Sequence, residues 1–485
     1  MTIADLLQRR ETHFVLWAPQ DTGQPPELII GQFAPGNPPS LSGAQRIAMT
    51  RAASVSGLWE VAAAACNLRD GQVYHYWFEV DDTSPHRELL RRFLCTDPTA
   101  FTVDWRLLAA RLPRPYTESD RQPAAVILYR NGRLQPCDAG GETGDFTGER
   151  PPDQLPPNRQ LVIYELPTAW TGGSLNGVLE RAVGTFQDVL ALVDVNAGGA
   201  NFSHLAVLQP GQSYLKDLGV NALELLPPAD SAYRREWGYG TSNFFAPDHE
   251  LGLPEGYSWP TSNQDLTALV LACHQNGIRF FVDVVMAFAR QGPYEAIDFG
   301  DFHICGPGER RDDPDAWTSG RAGGGKEIRN AFGSTLFRYA RPVQTYDPDT
   351  GRDVEVFPAR QLMYAALDRW SRDFHIDGIR MDSVENVANW DFIQTYKDRA
   401  HARFRERWNA HHLGPGAEDR MLVVGEELSV PLDLLEQHRL DGLWNDHFRA
   451  LIRPALLGRN ADDEPSFEWT VRKAIDCRNL GFARG

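Results

Sequence analysis

From Gln160 onward the chain alternates between apolar runs of strand length and stretches of helical periodicity, and this alternation limits the fold more than any other feature. LVIYELP, VNALELLPP, IRFFVDVVM, FHIDGIRMD and MLVVGEEL have the length and composition of buried strands. Between them, segments around Leu179 to Leu192 and Tyr214 to Leu218, then DLTALVLACHQNG, LMYAALDRWSRDF and DFIQTYKDRAHARFRERW, place apolar residues at every third or fourth position, as helices do. Repeated strand and helix units imply parallel strands joined by right-handed crossovers. The expected fold class is therefore α/β, a (β/α)8 TIM-type barrel over residues 160–485. DGLWNDHF adds a short apolar turn of chain, which makes about six βα units. ALLGRNADDEPSFEWTVRKAIDCRNLGFARG then runs as loop and helix without a seventh strand. The barrel is expected to be incomplete, and its unpaired strand edges imply self-association and low activity.

The chain ahead of Gln160 has another rhythm. HFVLWAP, ELIIGQF, GLWEVAAA and VYHYWFEV alternate apolar and polar residues between Gly, Pro, Asp and Asn turns, which predicts an antiparallel β-sandwich over residues 1–110. Residues 111–159 are crowded with Pro, Gly and acidic residues and read as a connection, with AAVILYR (124–130) a candidate strand inside it. Residues 289–358 are expected to form a loop-rich insertion after strand three, beside the cleft.

A chain of 485 residues suits two domains. Its net charge of -17 argues against nucleic acid or an anionic membrane as partner, because both would repel it. A neutral ligand fits better, and 13 Trp supply flat apolar faces of the kind sugar rings stack on. The six cysteines, Cys66, Cys95, Cys137, Cys273, Cys305 and Cys477, show no metal-ligand or disulfide-framework spacing. Reduced thiols in a cytoplasm are the simplest expectation, and MTIADLLQRRETHF has no apolar run of signal-peptide length. GRAGGGKE (320–327) approaches a phosphate-binding loop, but Glu327 stands where Ser or Thr is needed. The 13 His form no HExxH, and His249, His274 and His375 read as surface or supporting groups rather than ligands.

Three carboxylates sit at strand ends: Asp283 in FVDVVM, Asp382 in GIRMD and Glu426 in VVGEEL. At the carboxyl ends of neighbouring barrel strands they would converge on one mouth. Two such groups flanking a scissile bond are what glycoside hydrolysis needs. Arg380, two residues before Asp382, shares its strand face and would keep Asp382 ionised, as a nucleophile must be. On its own the Arg380–Asp382 pair reads equally well as a structural ion pair. Glu426 follows an apolar run, whose desolvation would raise its pKa toward a general acid's.

Together these motifs resemble the α-amylase superfamily of retaining glycoside hydrolases and transglycosidases. FVDVVM, GIRMD and VVGEE are similar to its strands three, four and five, YELP and LELLPP to its first two, and EWGYGTSNFFAPDHELG (236–252) to the loop after strand two. HFVLWAP through VYHYWFEV resembles the early-set sandwich of branching enzymes, isoamylases, pullulanases and trehalohydrolases. The resemblance implies an enzyme acting on α-1,4/α-1,6 glucans of starch or glycogen type, with an α-glucan as partner and no cofactor. It implies Asp382 as nucleophile, Glu426 as acid and base, and Arg380 as the nucleophile's partner. Tyr239 would stack on the sugar, and Asp283 would be structural or touch the sugar. Trp237 and Asn386 are the further substrate-binding candidates, and Glu427 would point to the other face. The VGEE pattern leans toward 1,4-α-glucan branching enzymes, and a non-catalytic glucan-binding protein is the alternative of another class.

The departures set further expectations. Ala287 and Phe288 replace the family's usual Asn and His on strand three, and Glu385-Asn386 stand where many amylases carry Lys-His. No third-acid motif follows Glu426, and Asp446-His447 belongs to the strand-six region. Because Ala287 offers no side-chain oxygen where the family often holds calcium, no metal is expected. EDTA should leave the melting temperature in place, and a thermal-shift scan showing a drop of several degrees would contradict this.

Overall fold

The computed structural model describes residues 5–20, 24–85, 92–109, 120–168, 184–194, 196, 213–232, 237–252, 259–304 and 335–476. Cys305, Cys477, the glycine-rich 320–327 segment and the first part of the helix expected from Leu179 lie outside the described residues.

The alternating runs near the start pair antiparallel. The strands are β1 (His13–Trp17), β2 (Glu27–Ala34), β3 (Ser40–Ala48), β4 (Thr50–Arg51), β5 (Leu58–Ala62), β6 (Gln72–Asp81), β7 (Arg92–Cys95), β8 (Val103–Leu108), β9 (Pro123–Arg130) and β10 (Arg133–Gln135). They make one sheet ordered β1-β5-β4 and a second ordered β10-β9-β6-β2-β3, with β7 on β6 and β8 on β9. Phe14, Leu16, Leu28, Ile30, Tyr76 and Phe78 are buried among them, as alternation requires of inward positions. The expected boundary at residue 110 falls inside this unit. AAVILYR is a strand, and β9 pairs with β6, β8 and β10. Its near-continuous burial, rather than alternation, disguised it as part of the connection.

After the connection come β11 (Ile163–Leu166), β12 (Ala222–Leu225), β13 (Ala229–Ser231), β14 (Thr241–Pro247), β15 (Arg279–Val284), β16 (Phe288–Ala289), β17 (Thr335–Leu336), β18 (Val343–Tyr346), β19 (Asp353–Val356), β20 (Gly378–Met381), β21 (Leu422–Gly425) and β22 (Gly442–Leu443). Six of these form one parallel sheet in chain order, β11-β12-β15-β20-β21-β22. Parallel strands added in strict sequence, with no switch of direction, are the arrangement of a barrel wall rather than of a doubly wound sheet. Helices Ser262–Gln275, Pro358–Asp373 and Trp390–Ala410 supply the crossovers. The stretch read as a short turn, DGLWNDHF, is strand β22 followed by the helix Asp446–Leu456.

On β20, Ile379 and Met381 are wholly buried among the apolar core while Gly378 and Arg380 take the opposite face. Gly378 has a steric reason: a Cβ there would lie 2.5 Å from the ring of Phe281 on β15. Among the described residues, the insertion after strand three holds short hairpins, β16 with β17 and β18 with β19, and small helical turns. Its described residues are fastened in part to the sandwich. Tyr294 Oη donates to the Trp17 carbonyl (2.9 Å), Gln20 N to Asp298 (2.8 Å) and Thr83 N to the Ala296 carbonyl (2.8 Å).

A charged cluster ties the connection to the barrel. His274 is fully buried, with Nδ1 at 2.6 Å from Glu149 and Nε2 at 2.8 Å from Asp377, and Asp377 also takes Arg407. His249 is buried too, so of the histidines read as surface groups only His375 is partly exposed; it pairs with the other Glu149 oxygen. Burial opposes a charge on His274, but Asp377 and Glu149 raise its pKa above the ordinary value. Burial would raise Glu149, yet hydrogen bonds from His274 and His375 bring it down to about 2. His274 therefore stabilises fully below 6.5 and loses this as pH rises through its higher folded value. Glu149 stabilises above 4.5 and loses this as pH falls toward 2. His274→Ala should cost about 3 kcal/mol near pH 6 and flatten the alkaline fall of stability, as read from denaturant melts across pH.

Candidate active site

The carboxyl ends of β15, β20 and β21 bring Asp283, Asp382 and Glu426 to a single guanidinium. Arg380 Nη1 donates to both oxygens of Asp283 (2.8 Å each) and to Asp382 Oδ1 (2.8 Å), and Nη2 lies 2.7 Å from Glu426 Oε2. The parallel register produces this directly, since Asp283 is opposite Arg380 on β15 and Val424 opposite it on β21, two residues before Glu426. Asp382 N donates to the Val284 carbonyl (3.0 Å) and Glu426 N to the Met381 carbonyl (2.9 Å), so each carboxylate's backbone is fixed by the neighbouring strand.

Two aromatic rings flank the guanidinium. Its carbon lies 5.7 Å from the Tyr239 ring centroid and 4.4 Å from that of Trp444. Tyr239 Oη donates to Asp283 Oδ2 (2.7 Å), so its hydroxyl is committed to the protein while the half-buried ring stays at the mouth. The preceding Gly238, at φ +88, is required: a Cβ there would meet the Pro227 carbonyl oxygen at 2.3 Å. Asp283 is saturated by Arg380 and Tyr239, which makes it a holder of the arginine.

The other candidates fall differently. Trp237 is 54% exposed. Asn386, expected to reach substrate, is buried and donates its amide to Ser383 Oγ (2.5 Å). Its spacing from Asp382 gave no direction because the chain turns through a left-handed Ser383 on the way. Glu427 is buried and accepts from Ser429 N and Oγ, away from Arg380. Ala287 and Phe288 are buried apolar positions, Phe288 in the small β16 and β17 pairing. These residues do not fit a calcium site, and no cluster of three or more His, Cys, Asp or Glu suited to a metal occurs among the described residues. Asp446 opens the helix Asp446–Leu456 and pairs with Arg449 (2.5 Å).

Three participants were not anticipated. Trp444 shares a face with Gly442 of β22, and alternation through DGLW carries that signal. Glu165 and Glu224, paired across β11 and β12, add carboxylates to the same lumen, visible in sequence as acids inside YELP and LELLPP. Glu224 is buried, its Oε1 has no partner, and burial, then Asp283 and Glu165, push its pKa up to about 8.

The expectation that Arg380 keeps Asp382 ionised is overturned. Burial, then Asp283, raise Asp382 to about 7, with Glu426 adding to the rise, and Arg380 only partly offsets them. Asp283 moves to about 6, again through burial, with Arg380 and Tyr239 opposing. One cation shared among three acids cannot hold all of them charged in a desolvated site.

Residues 210–430 match the family model for the alpha amylase catalytic domain. Over this stretch the chain is similar to the catalytic domain of the α-amylase superfamily. It is similar to a malto-oligosyltrehalose trehalohydrolase of Deinococcus radiodurans, 28% identical over 246 residues, which cover 50% of this chain and 32% of that protein. A 1,4-alpha-glucan branching enzyme of Synechococcus sp. is 23% identical over 382 residues, 79% of this chain and 40% of the relative. Apo pullulanase from Paenibacillus barengoltzii shares the fold with a TM-score of 0.57 and 17% identity, over 96% of this chain and 60% of that one. Pullulanase from Anoxybacillus sp. LM18-11, solved with maltotriose, gives 0.56 and 16%, over 99% and 57%. The chain thus spans about a third of the length of the curated relatives it matches. The six parallel strands are arranged as the wall of an incomplete (β/α)8 barrel, and the antiparallel sheets before them as a sandwich.

The raised Asp382 has a consequence for stability. An acid whose folded pKa lies above its unfolded value makes the fold less stable as pH rises between the two, here from 3.8 to about 7. Asp382→Asn should therefore stabilise the protein by about 2 kcal/mol at alkaline pH. The gain should vanish in acid, as denaturant melts at both limits would show.

Proposed function

We propose that this chain is a retaining glycoside hydrolase of α-1,4/α-1,6 glucans, with Asp382 as nucleophile and Glu426 as acid and base. The observation that carries this is the single guanidinium bridging both carboxylates through its two terminal nitrogens, at 2.8 and 2.7 Å. Carboxyls bonded to one guanidinium lie side by side, which suits the roughly 5 Å spacing of a retaining pair and not the wider gap that admits a water between them.

The proton inventory suits it as well. A retaining enzyme begins with one acid protonated and the other ionised, and here the two carboxyls flank one cation. With the proton on Glu426, Asp382 is free to attack the anomeric carbon while Glu426 protonates the departing glycosidic oxygen. The C–O bond breaks and a glycosyl ester forms on Asp382. Glu426, now ionised, takes a proton from a water whose oxygen bonds to the anomeric carbon, while the ester C–O bond breaks and Asp382 leaves as a carboxylate. Arg380 donates to both oxygen sets throughout, Asp283 and Tyr239 hold Arg380, and the exposed Trp237 and the Tyr239 ring supply faces for sugar rings.

In the second version of this chemistry a glucan hydroxyl replaces water, and the chain is a branching transglycosidase. The branching enzymes among its relatives favour it. Amylopectin separates the outcomes. New reducing ends indicate hydrolysis, changed chain lengths without them indicate transfer, and binding with neither indicates a non-catalytic glucan-binding protein. Asp382→Asn should lower turnover by roughly 10³ or more while glucan binding stays. Activity within tenfold of the parent would remove Asp382 from its role.

A further inference from the structure

Just past Asp382 the backbone does something that the proposed chemistry has not used. Ser383 adopts φ 46 and ψ 56, the left-handed region that a non-glycine residue seldom enters. In this conformation its N–H points at Glu426 Oε2 (3.1 Å), and the next N–H, of Val384, donates to the Glu426 carbonyl oxygen (3.1 Å). Two successive amides of one turn thus close on one residue, a small concavity suited to an anion. The turn is itself braced. Asn386 Nδ2 donates to Ser383 Oγ (2.5 Å) and Asn386 N to the Ser383 carbonyl (2.8 Å).

We infer that Ser383, locked by Asn386, is a positioning residue that fixes which oxygen of Glu426 carries the transferable proton. Oε2 already accepts from Ser383 N and is ion-paired with Arg380 Nη2, so a proton placed there would displace a donor and face the cation. Oε1 is left for it. This rests on the glycosidase assignment for its function, while the hydrogen bonds stand without it. The charged groups facing Glu426 are Arg380 and Asp382 from the β20 side and Glu165 from β11. The variants below change none of them.

The test uses the full 485-residue chain. The Glu426 carboxyl carbon is titrated by NMR and identified by its loss in Glu426→Gln. The alkaline limb of kcat/KM on maltooligosaccharide is followed in parallel. An amide donating to a carboxylate favours the charged form, so losing it raises the pKa. Ser383→Val, β-branched and unfit for positive φ, should raise the Glu426 midpoint by about one unit and move the alkaline limb with it. Ser383→Gly, which loses the Asn386 brace but accepts that backbone, should shift the midpoint clearly less than Ser383→Val does. Asn386→Ala, which leaves Ser383 in place, should shift the midpoint in the same direction by a smaller amount. If Ser383→Val does not fold, Asn386→Ala decides. A Glu426 midpoint unchanged in a folded Ser383→Val or Asn386→Ala, or shifted equally in Ser383→Gly, overturns the inference. A parent chain inactive on every glucan defeats the glycosidase assignment instead, and the carbon titration still judges Ser383.

Discussion

The site depends on one buried cation. Arg380 takes Asp283, Asp382 and Glu426 on its terminal nitrogens and lies against the faces of Tyr239 and Trp444. These partners come from the ends of three strands and from the loops after β12 and β22, so the guanidinium joins most of the parallel sheet at its carboxyl edge. A planar fork with fixed directions can do this, whereas a lysine ammonium has one point of charge and no face to stack. Without Arg380, three carboxylates would share a desolvated pocket with no counter-ion, a cost that protonation alone would relieve.

Sheet order makes the convergence possible. Six parallel strands laid side by side in chain order put every strand end on the same rim, so residues more than a hundred apart in sequence, such as Asp283 and Glu426, become neighbours. The other rim does different work. There Asp377, at the entry to β20, closes a chain of charges through His274 to Glu149 and anchors the connection between the two sheet systems. Chemistry at one end and anchoring at the other matches the division of labour in parallel barrels.

Much of this was legible in the sequence, for reasons that particular residues show. Asp283, Asp382 and Glu426 stood out because each ends an apolar strand, where a charge has no structural excuse. Arg380 followed from its spacing of two. Spacing ceased to inform once the backbone left the strand, and Asn386 was assigned to substrate because nothing local marks Ser383 as left-handed. β9 was left in the connection because its burial is nearly continuous. Trp444 was hidden by brevity, for β22 has only two residues and shows no period of its own. The ionisation of Asp382 was misjudged because the sequence counts a charge partner and does not show how many acids share it.

That sharing explains the lumen's other carboxylates. Were Glu165, Glu224, Asp283, Asp382 and Glu426 all ionised, the single guanidinium that the described residues place among them could not balance them. Glu224 answers by remaining protonated at neutral pH, its pKa near 8, so it adds little charge. Asp283, at about 6, ionises before Asp382, because it holds more hydrogen bonds, from Arg380 and Tyr239. Asp382 follows at about 7, raised by burial and by Asp283. In a desolvated site the order of deprotonation thus follows the distribution of donors. Of Asp283, Asp382 and Glu224, the group with the most donors ionises at the lowest pH and the group with the fewest stays neutral.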